Sequence, residues 1–109
     1  MAYVDLASVE DVVPGTMKSF RVDEKHILVV NVGGKIYAMN GICTHAGGDL
    51  SKGKLEGATV TCPRHGSMFD VTSCKALSGP KIGFIKLNTK DEKIYLVKIE
   101  NNRIRVGII

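Results

Sequence analysis

The chain has 109 residues, of which 44% are hydrophobic and 24% charged, and its net charge is +4. This length predicts a single domain over residues 1–109 with one modest, largely aliphatic core, and a mild charge without a Lys/Arg run argues against nucleic-acid binding. The longest purely apolar stretch, Ile27 to Val30, is too short to cross a bilayer, and the first residues show no signal-peptide pattern. We therefore expect a cytoplasmic protein with no membrane partner.

Both ends of the chain are predicted to form strands joined by short turns. A short strand near Tyr3–Leu6 precedes one helical turn at Val9–Val12, which Ser8 caps and Pro14-Gly15 ends. A second strand is predicted at Thr16–Val22. Two further pairs of strands flank two-residue turns that favour hairpins: His26–Val32 and Lys35–Asn40 around Gly33-Gly34, and Ile94–Glu100 and Arg103–Val106 around Asn101-Asn102.

Between the two hairpins lies a loop-rich segment, from about residue 41 to residue 83. It contains all three Cys and two of the three His, with short strand candidates only at Thr59–Thr61 and Met68–Val71. Such a long insert is unusual unless something else holds it together. We expect it to bury little apolar surface, so that a bound metal adds to its stability. The predicted fold class is therefore all-β, an antiparallel β sandwich or barrel scaffold with a loop-rich, metal-organised lobe.

Two short motifs in this lobe have the composition of a metal site. They are Cys43-Thr44-His45 and Cys62-Pro63-Arg64-His65, and sixteen residues separate His45 from Cys62. Together they offer two thiolates and two imidazoles. Zinc accepts this set in a tetrahedral site, and a binuclear iron centre accepts it with both thiolates on one iron and both imidazoles on the other.

The arrangement of the ligands favours iron over zinc. Zinc modules usually draw two ligands of one type from each turn, whereas each loop here mixes Cys with His. Gly47, Gly48 and Gly66 lie just beyond the ligands. Because they lack side chains, backbone N–H groups at these positions could approach bridging sulfides, whose negative charge needs donors.

The run from Cys43 to Pro80 resembles the cluster-binding region of the Rieske family. Besides the C-x-H and C-x₂-H motifs, several flanking features match: Asp49-Leu50-Ser51, Gly53-Lys54-Leu55-Glu56-Gly57, His65-Gly66, Phe69-Asp70 and Ser78-Gly79-Pro80. The resemblance implies one [2Fe–2S] cluster, with Cys43 and Cys62 on the inner iron and His45 and His65 on the outer iron. It also implies that the segment around Pro80 closes over the cluster.

Some positions depart from the high-potential respiratory members of that family. Those members carry an extra disulfide-forming cysteine in each ligand loop, where this chain has Gly48 and Arg64, and a Tyr where it has Phe69. Ser67 does occupy the position whose hydroxyl bonds a bridging sulfide. The smaller number of hydrogen-bond donors to the cluster and the missing disulfide favour the ferredoxin-like branch of the family over the quinol-oxidising branch.

This interpretation predicts a one-electron carrier rather than an enzyme. Once four ligands are assigned, only His26 remains, which we expect to be a surface residue, whereas a non-haem iron centre needs two His and a carboxylate. The partners would be a reductase and a terminal oxygenase or a similar redox enzyme. Two alternatives remain: a small subunit of a larger oxidoreductase, such as a nitrite-reductase-like complex, and a structural Cys₂His₂ zinc module.

Two further features of the lobe have competing explanations. Cys74 is either a small buried or turn cysteine or an exposed, redox-sensitive thiol. Basic residues in the lobe either steer an acidic partner or simply solvate the surface; they are Lys52, Lys54, Arg64, Lys75 and Lys81.

Overall fold

The computed structural model describes residues 2–42, 48–63, 66–78, 81–82, 85–86 and 94–108. This part of the chain contains thirteen strands: β1 Ala2–Ser8, β2 Met17–Val22, β3 Lys25–Val32, β4 Lys35–Asn40, β5 Lys54–Glu56, β6 Thr59–Thr61, β7 Met68–Asp70, β8 Ala76–Ser78, β9 Lys81–Ile82, β10 Ile85–Lys86, β11 Ile94–Tyr95, β12 Val97–Glu100 and β13 Arg103–Ile108. Within the same residues, no helix is long and apolar enough to span a membrane.

Two antiparallel sheets form the scaffold. One has the strand order β1-β13-β12, and the other has the order β11-β4-β3-β2. Gly33 and Gly34 have φ angles of 61° and 99°, and Asn101 and Asn102 have φ angles of 50° and 64°. Positive φ at both turn residues matches the twist of a two-residue hairpin, so both hairpins predicted from the sequence are confirmed.

The predicted strand Ile94–Glu100 is divided in the structure. Its first part, β11, pairs with β4, whereas its second part, β12, pairs with β13 in the other sheet. The chain changes sheets at Leu96, and a continuous strand pattern does not reveal such a crossing.

The turn after β1 is a short 3₁₀ helix, Val9–Asp11, one residue shorter than predicted. The predicted cap is present: the Ser8 hydroxyl accepts a hydrogen bond from the Glu10 N–H at 3.3 Å, and Asp11 accepts one from the Ser8 N–H at 3.0 Å. This reciprocal arrangement satisfies backbone donors at the start of the helix.

The lobe is more regular than the sequence predicts. A four-stranded antiparallel sheet with the order β5-β6-β7-β8 lies inside the segment predicted to be mostly loop. The sequence indicated β6 and β7, although β7 ends at Asp70 rather than Val71, and it did not indicate β5 or β8. All four strands are too short to show an alternating pattern, and β5 and β8 also lack the β-branched or aromatic residues that indicated β6 and β7.

The β3 strand separates two apolar cores because both of its faces are buried. Ile27 and Val29 belong to a scaffold core with Val12, Ile36, Ala38, Tyr95, Ile104 and Val106. Leu28 and Val30 face the other way, into a lobe core with Met39, Leu50, Val60, Cys62, Phe69, Val71 and Cys74. The expectation that the lobe buries little apolar surface was therefore wrong. The lobe packs on the scaffold through its own hydrophobic side chains.

Candidate metal centre

The structure describes only part of the predicted site. Four of the predicted residues can be located: Gly48, Cys62, Gly66 and Ser67. The other five lie outside the described residues: Cys43, His45, Gly47, His65 and Pro80. The four-ligand set therefore remains a prediction, and the geometry below concerns the described flanks of the two motifs.

Cys62 lies directly after β6 and is buried, with 2% of its surface exposed. Its N–H donates to the carbonyl oxygen of Ser67 at 2.7 Å, and its carbonyl oxygen accepts from the N–H of Gly66 at 3.3 Å. Gly66 has a φ of 75°, which glycine adopts without strain. These bonds close the end of the β6–β7 hairpin, with Cys62 and Ser67 side by side.

The surroundings of Ser67 test whether the site suits an iron–sulfur group. Its side chain is 1% exposed, and among the described residues its hydroxyl has no hydrogen-bond partner. An unsatisfied buried hydroxyl costs about 1–3 kcal/mol, so native proteins rarely leave one. A sulfide or thiolate accepting from this hydroxyl beside the Cys62 loop would remove that cost. The residues present therefore fit an iron–sulfur group.

The flanks of the first motif are joined by backbone contacts. Ile42 and Asp49 form an antiparallel bridge, and the Leu50 N–H donates to the Gly41 carbonyl oxygen at 2.9 Å. Asp49 also caps the second 3₁₀ helix, Leu50–Lys52, by accepting from the N–H of Ser51 at 3.0 Å. The two ends of the first ligand loop are thereby held together.

Gly53 brings the flanks of the two motifs into contact. A β-carbon at Gly53 would overlap the carbonyl oxygen of Thr61 and would lie 3.2 Å from Cδ of Pro63. The chain leaving the first motif therefore passes directly against the backbone that leads into the second. Sequence analysis noted Gly53 only as a matching flank, because a close backbone approach leaves no signal beyond the glycine itself.

A tight turn closes the other end of the lobe sheet. The Asp70 carboxylate accepts from the hydroxyl of Thr72 at 2.6 Å and from its N–H at 2.8 Å. The Thr72 side-chain bond, followed by the Thr72 backbone bond, holds the pKa of Asp70 below its ordinary value. Cys74 follows at a φ of 59°, fully buried in the lobe core. Its burial supports the interpretation as a structural turn cysteine.

The charges of the described lobe are nearly balanced. Lys54 forms an exposed ion pair with Glu56 at 3.3 Å. Asp49 and Asp70 accept hydrogen bonds from their own chain, and Lys52 and Lys75 are exposed. Arg64 and the side chain of Lys81 lie outside the described residues, so the predicted basic steering surface remains a prediction.

The fold and the described half of the site define a small antiparallel β protein whose lobe places the buried Cys62 beside the buried Ser67 hydroxyl. The Rieske [2Fe-2S] domain family matches residues 2–87. The chain belongs to this family, and the family resemblance seen in the sequence is confirmed. The cofactor of the family is a [2Fe–2S] cluster, which agrees with the predicted iron–sulfur centre rather than with the zinc alternative.

Similar proteins cover nearly the whole chain. The ferredoxin component of the naphthalene 1,2-dioxygenase/salicylate 5-hydroxylase systems of Ralstonia sp. is 40% identical over 102 residues, covering 94% of this chain and 91% of the relative. The ferredoxin component of the naphthalene 1,2-dioxygenase system of Pseudomonas putida is 34% identical over 106 residues, covering 97% of this chain and 95% of the relative.

Solved structures confirm the predicted fold class. The Sphingomonas yanoikuyae B1 ferredoxin superposes with a TM-score of 0.81 at 25% identity and covers 99% of this chain and 100% of its own. The ferredoxin of carbazole 1,9a-dioxygenase from Nocardioides aromaticivorans IC177 gives a TM-score of 0.77 at 27% identity and covers 98% of both chains.

Proposed function

We propose that this chain is a cytoplasmic ferredoxin that carries single electrons from a reductase to a terminal oxygenase. The observation that supports this most directly is similarity over the full length of its relatives. The chain covers 91% and 95% of two proteins described as ferredoxin components of dioxygenase systems. As part of the proposal, residues 1–109 form one domain, and the lobe at about 41–83 holds the cluster.

We further propose that one cluster is held by Cys43, His45, Cys62 and His65, with the two thiolates on the inner iron and the two imidazoles on the outer iron. When bound, a [2Fe–2S] cluster supplies a reversible one-electron acceptor. The protein's own contribution is to hold the ligands in place and to set their surroundings. The buried position of Cys62 beside Ser67 supports this assignment.

The residues around Cys62 have three distinct roles in this proposal. The Ser67 hydroxyl, which has no hydrogen-bond partner among the described residues, would donate a hydrogen bond to a sulfur atom and so stabilise added negative charge. Gly48 and Gly66 keep the loop backbones free of side chains next to the ligands. Phe69 and Leu50 are fully buried in the same apolar cluster as Cys62 and would keep water away from that side of the site.

The proposal assigns no catalytic residue to the chain. After the four ligands are assigned, His26 is the one remaining histidine of the 109 residues. It is half-buried within β3 rather than on the surface as predicted, and its carbonyl oxygen accepts from the N–H of Gly41 at 2.8 Å. Oxygen chemistry would therefore belong to a partner protein. One structural neighbour is described as a complex of reduced oxygenase and oxidized ferredoxin in carbazole 1,9a-dioxygenase, which supports such a partnership.

Electron transfer between purified proteins tests the proposal. The loaded chain would be mixed with the reductase and that enzyme's own electron donor, and then with the terminal oxygenase from the same organism, while the visible spectra of the proteins are recorded. We expect rapid reduction of the chain, followed by its oxidation as the oxygenase is reduced. A Cys62→Ala variant is the control and should transfer no electrons. A chain that dithionite reduces but that exchanges electrons with neither protein would overturn the proposal.

A further inference from the structure

The free edge of the scaffold sheet β1-β13-β12 carries an exposed apolar side chain. β12 pairs with β13, and no strand of the described chain pairs with its other side. Ile99, in this edge strand, is 48% exposed, whereas Ile104 opposite it in β13 is fully buried. An unpaired strand edge is a template for pairing with another chain, and native proteins usually keep such edges charged or covered. The exposed Ile99 therefore indicates a surface that another strand can cover.

The backbone groups of β12 alternate between its two sides. The Gly107 N–H donates to the carbonyl oxygen of Leu96 at 2.8 Å, so Leu96 directs its backbone groups toward β13. Because this direction alternates along an antiparallel strand, the backbone groups of Lys98 and Glu100 also face β13, whereas those of Ile99 face the free edge. The edge thus offers a hydrogen-bond donor and an acceptor at the same residue whose side chain is apolar and exposed.

The charges beside Ile99 are arranged symmetrically. Lys98 precedes Ile99 and Glu100 follows it, and the two charged side chains form an exposed ion pair at 3.3 Å. Both lie on the face opposite to Ile99, because successive side chains of a strand alternate. A second β12 that runs antiparallel, with its Ile99 opposite Ile99, would therefore place Glu100 opposite Lys98 and Lys98 opposite Glu100. The edge is complementary in charge to itself.

We propose that two copies of the chain pair through β12, about a two-fold axis at Ile99, and so join two three-stranded sheets into one continuous sheet. The two Ile99 residues exchange two N–H···O bonds, as a hydrogen-bonded antiparallel pair does. Lys98 of one copy and Glu100 of the other form the adjacent non-hydrogen-bonded pairs, in which Cβ atoms are closest, at about 4.5–5.5 Å. A two-fold contact of this kind closes on itself, so it produces a dimer rather than a filament.

Other registers of the same edge fit less well. An axis at Lys98 or at Glu100 would set like charges directly opposite each other, which destabilises a strand pair. An axis at Val97 would place Lys98 opposite Leu96 and leave the charges unmatched. Within β12, the axis at Ile99 is thus the one that matches both charges and also pairs the exposed apolar side chains.

The contact is small, so we expect a reversible dimer. Four residues of strand extend about 13 Å, which places the contact at the small end of protein interfaces. The dimer should therefore form at high protein concentration and dissociate on dilution. Because the two-fold axis repeats every contact, each substitution in β12 acts twice.

Sedimentation of the loaded protein, from about 1 μM to about 1 mM, tests the pairing. We expect the average mass to rise with concentration from that of one chain toward that of two. Ile99→Lys places like charges at the axis and should raise the dissociation constant at least about tenfold. Val13→Lys is the matched control, because Val13 is 52% exposed but lies between the first 3₁₀ helix and β2, and it should leave the dissociation constant unchanged.

Exchange of the two charges tests the register. Lys98→Glu sets a second carboxylate opposite Glu100 across the axis and should raise the dissociation constant about tenfold. The double variant Lys98→Glu/Glu100→Lys should restore association, because opposite charges again face each other. An unsubstituted chain that stays monomeric over the whole concentration range would overturn the proposal. Equal association of the Ile99→Lys and Val13→Lys variants would also overturn it, as would a double variant that associates no better than Lys98→Glu.

Discussion

The scaffold and the lobe are both built from antiparallel strands, but different interactions hold them. The scaffold strands β1 to β4 are six to eight residues long and are joined largely by short turns. The lobe strands β5 to β8 have three residues each and depend on a close backbone approach at Gly53 and on capping carboxylates. The comparison indicates that long strands and turns of a defined type make the scaffold hairpins predictable from local sequence, whereas the short strands of the lobe depend on packing that local sequence does not reveal.

The largest expected effect comes from removing the main side chain of the lobe core. Phe69 is fully buried, and Phe69→Ala should lower the free energy of unfolding by about 3–5 kcal/mol because it removes apolar burial and leaves a cavity. Ile104→Ala, in the scaffold core, should cost about 2–5 kcal/mol. Urea unfolding and iron analysis of both variants would test whether the cores are distinct. We expect only Phe69→Ala to lose iron from protein that remains folded. Equal iron loss in both variants would contradict that separation.

Two glycines of the lobe offer a sharper test of backbone packing. Gly53→Ala places a methyl group against the Thr61 carbonyl, so we expect a cost of about 1–3 kcal/mol, the range for overpacking. Gly57 has a φ of 58° with open space around it, so Gly57→Ala should cost only about 1 kcal/mol of backbone strain. Denaturation curves would give both values. A greater loss in Gly57→Ala would mean that the close approach at Gly53 is unimportant.

Substitution of Ser67 should affect the stability of the empty protein and the reduction potential of the loaded protein in different ways. In the empty protein, Ser67→Ala removes a buried hydroxyl that has no hydrogen-bond partner within the described part of the chain, so stability should stay constant or rise by up to about 1 kcal/mol. In the loaded protein, the same change removes a donor to sulfur, and the reduction potential should fall. Urea unfolding and voltammetry would measure the two effects. An unchanged potential would show that the hydroxyl has another acceptor.

The smallest expected effect concerns the turn after β7. The pKa of Asp70 is lowered from its ordinary value of 3.8, chiefly by the Thr72 hydroxyl. A lowered folded-state pKa contributes stability above the unfolded-state value, and this contribution disappears as the pH falls through the folded-state pKa. Asp70→Asn keeps an acceptor but loses the charge, so its Tm should be slightly lower than that of the original protein at pH 7 and equal to it in strong acid. A difference independent of pH would contradict this assignment.

Sequence patterns predicted the parts of the molecule that depend on neighbouring residues. Gly33-Gly34 and Asn101-Asn102 indicated both hairpins because a two-residue turn with positive φ favours those residues. Ser8 and Asp11 indicated a cap for the same local reason. Within the site, the paired motifs and Ser67 predicted a cofactor class that the family match confirms.

The features missed from the sequence arise from contacts between distant residues. The crossing at Leu96 depends on which sheet each half of the segment joins. The apolar packing of the lobe depends on β3 having two buried faces, which places Phe69 and Cys74 against Leu28. The crossing leaves no periodic signal because β11 and β12 have only two and four residues, whereas the continuous apolar run Ile27 to Val30 is consistent with a strand buried on both faces.

The most direct test of the central claim is the iron and acid-labile sulfide content of the purified protein, with the electron-spin spectrum of its reduced form. The account predicts about two irons and two sulfides per chain and a one-electron signal on reduction, as a [2Fe–2S] centre requires. The iron and sulfide should be lost in the Cys62→Ala variant and retained in the Cys74→Ser variant, because the latter leaves the proposed ligands intact. One zinc and no sulfide, in protein produced with ample iron, would contradict the account.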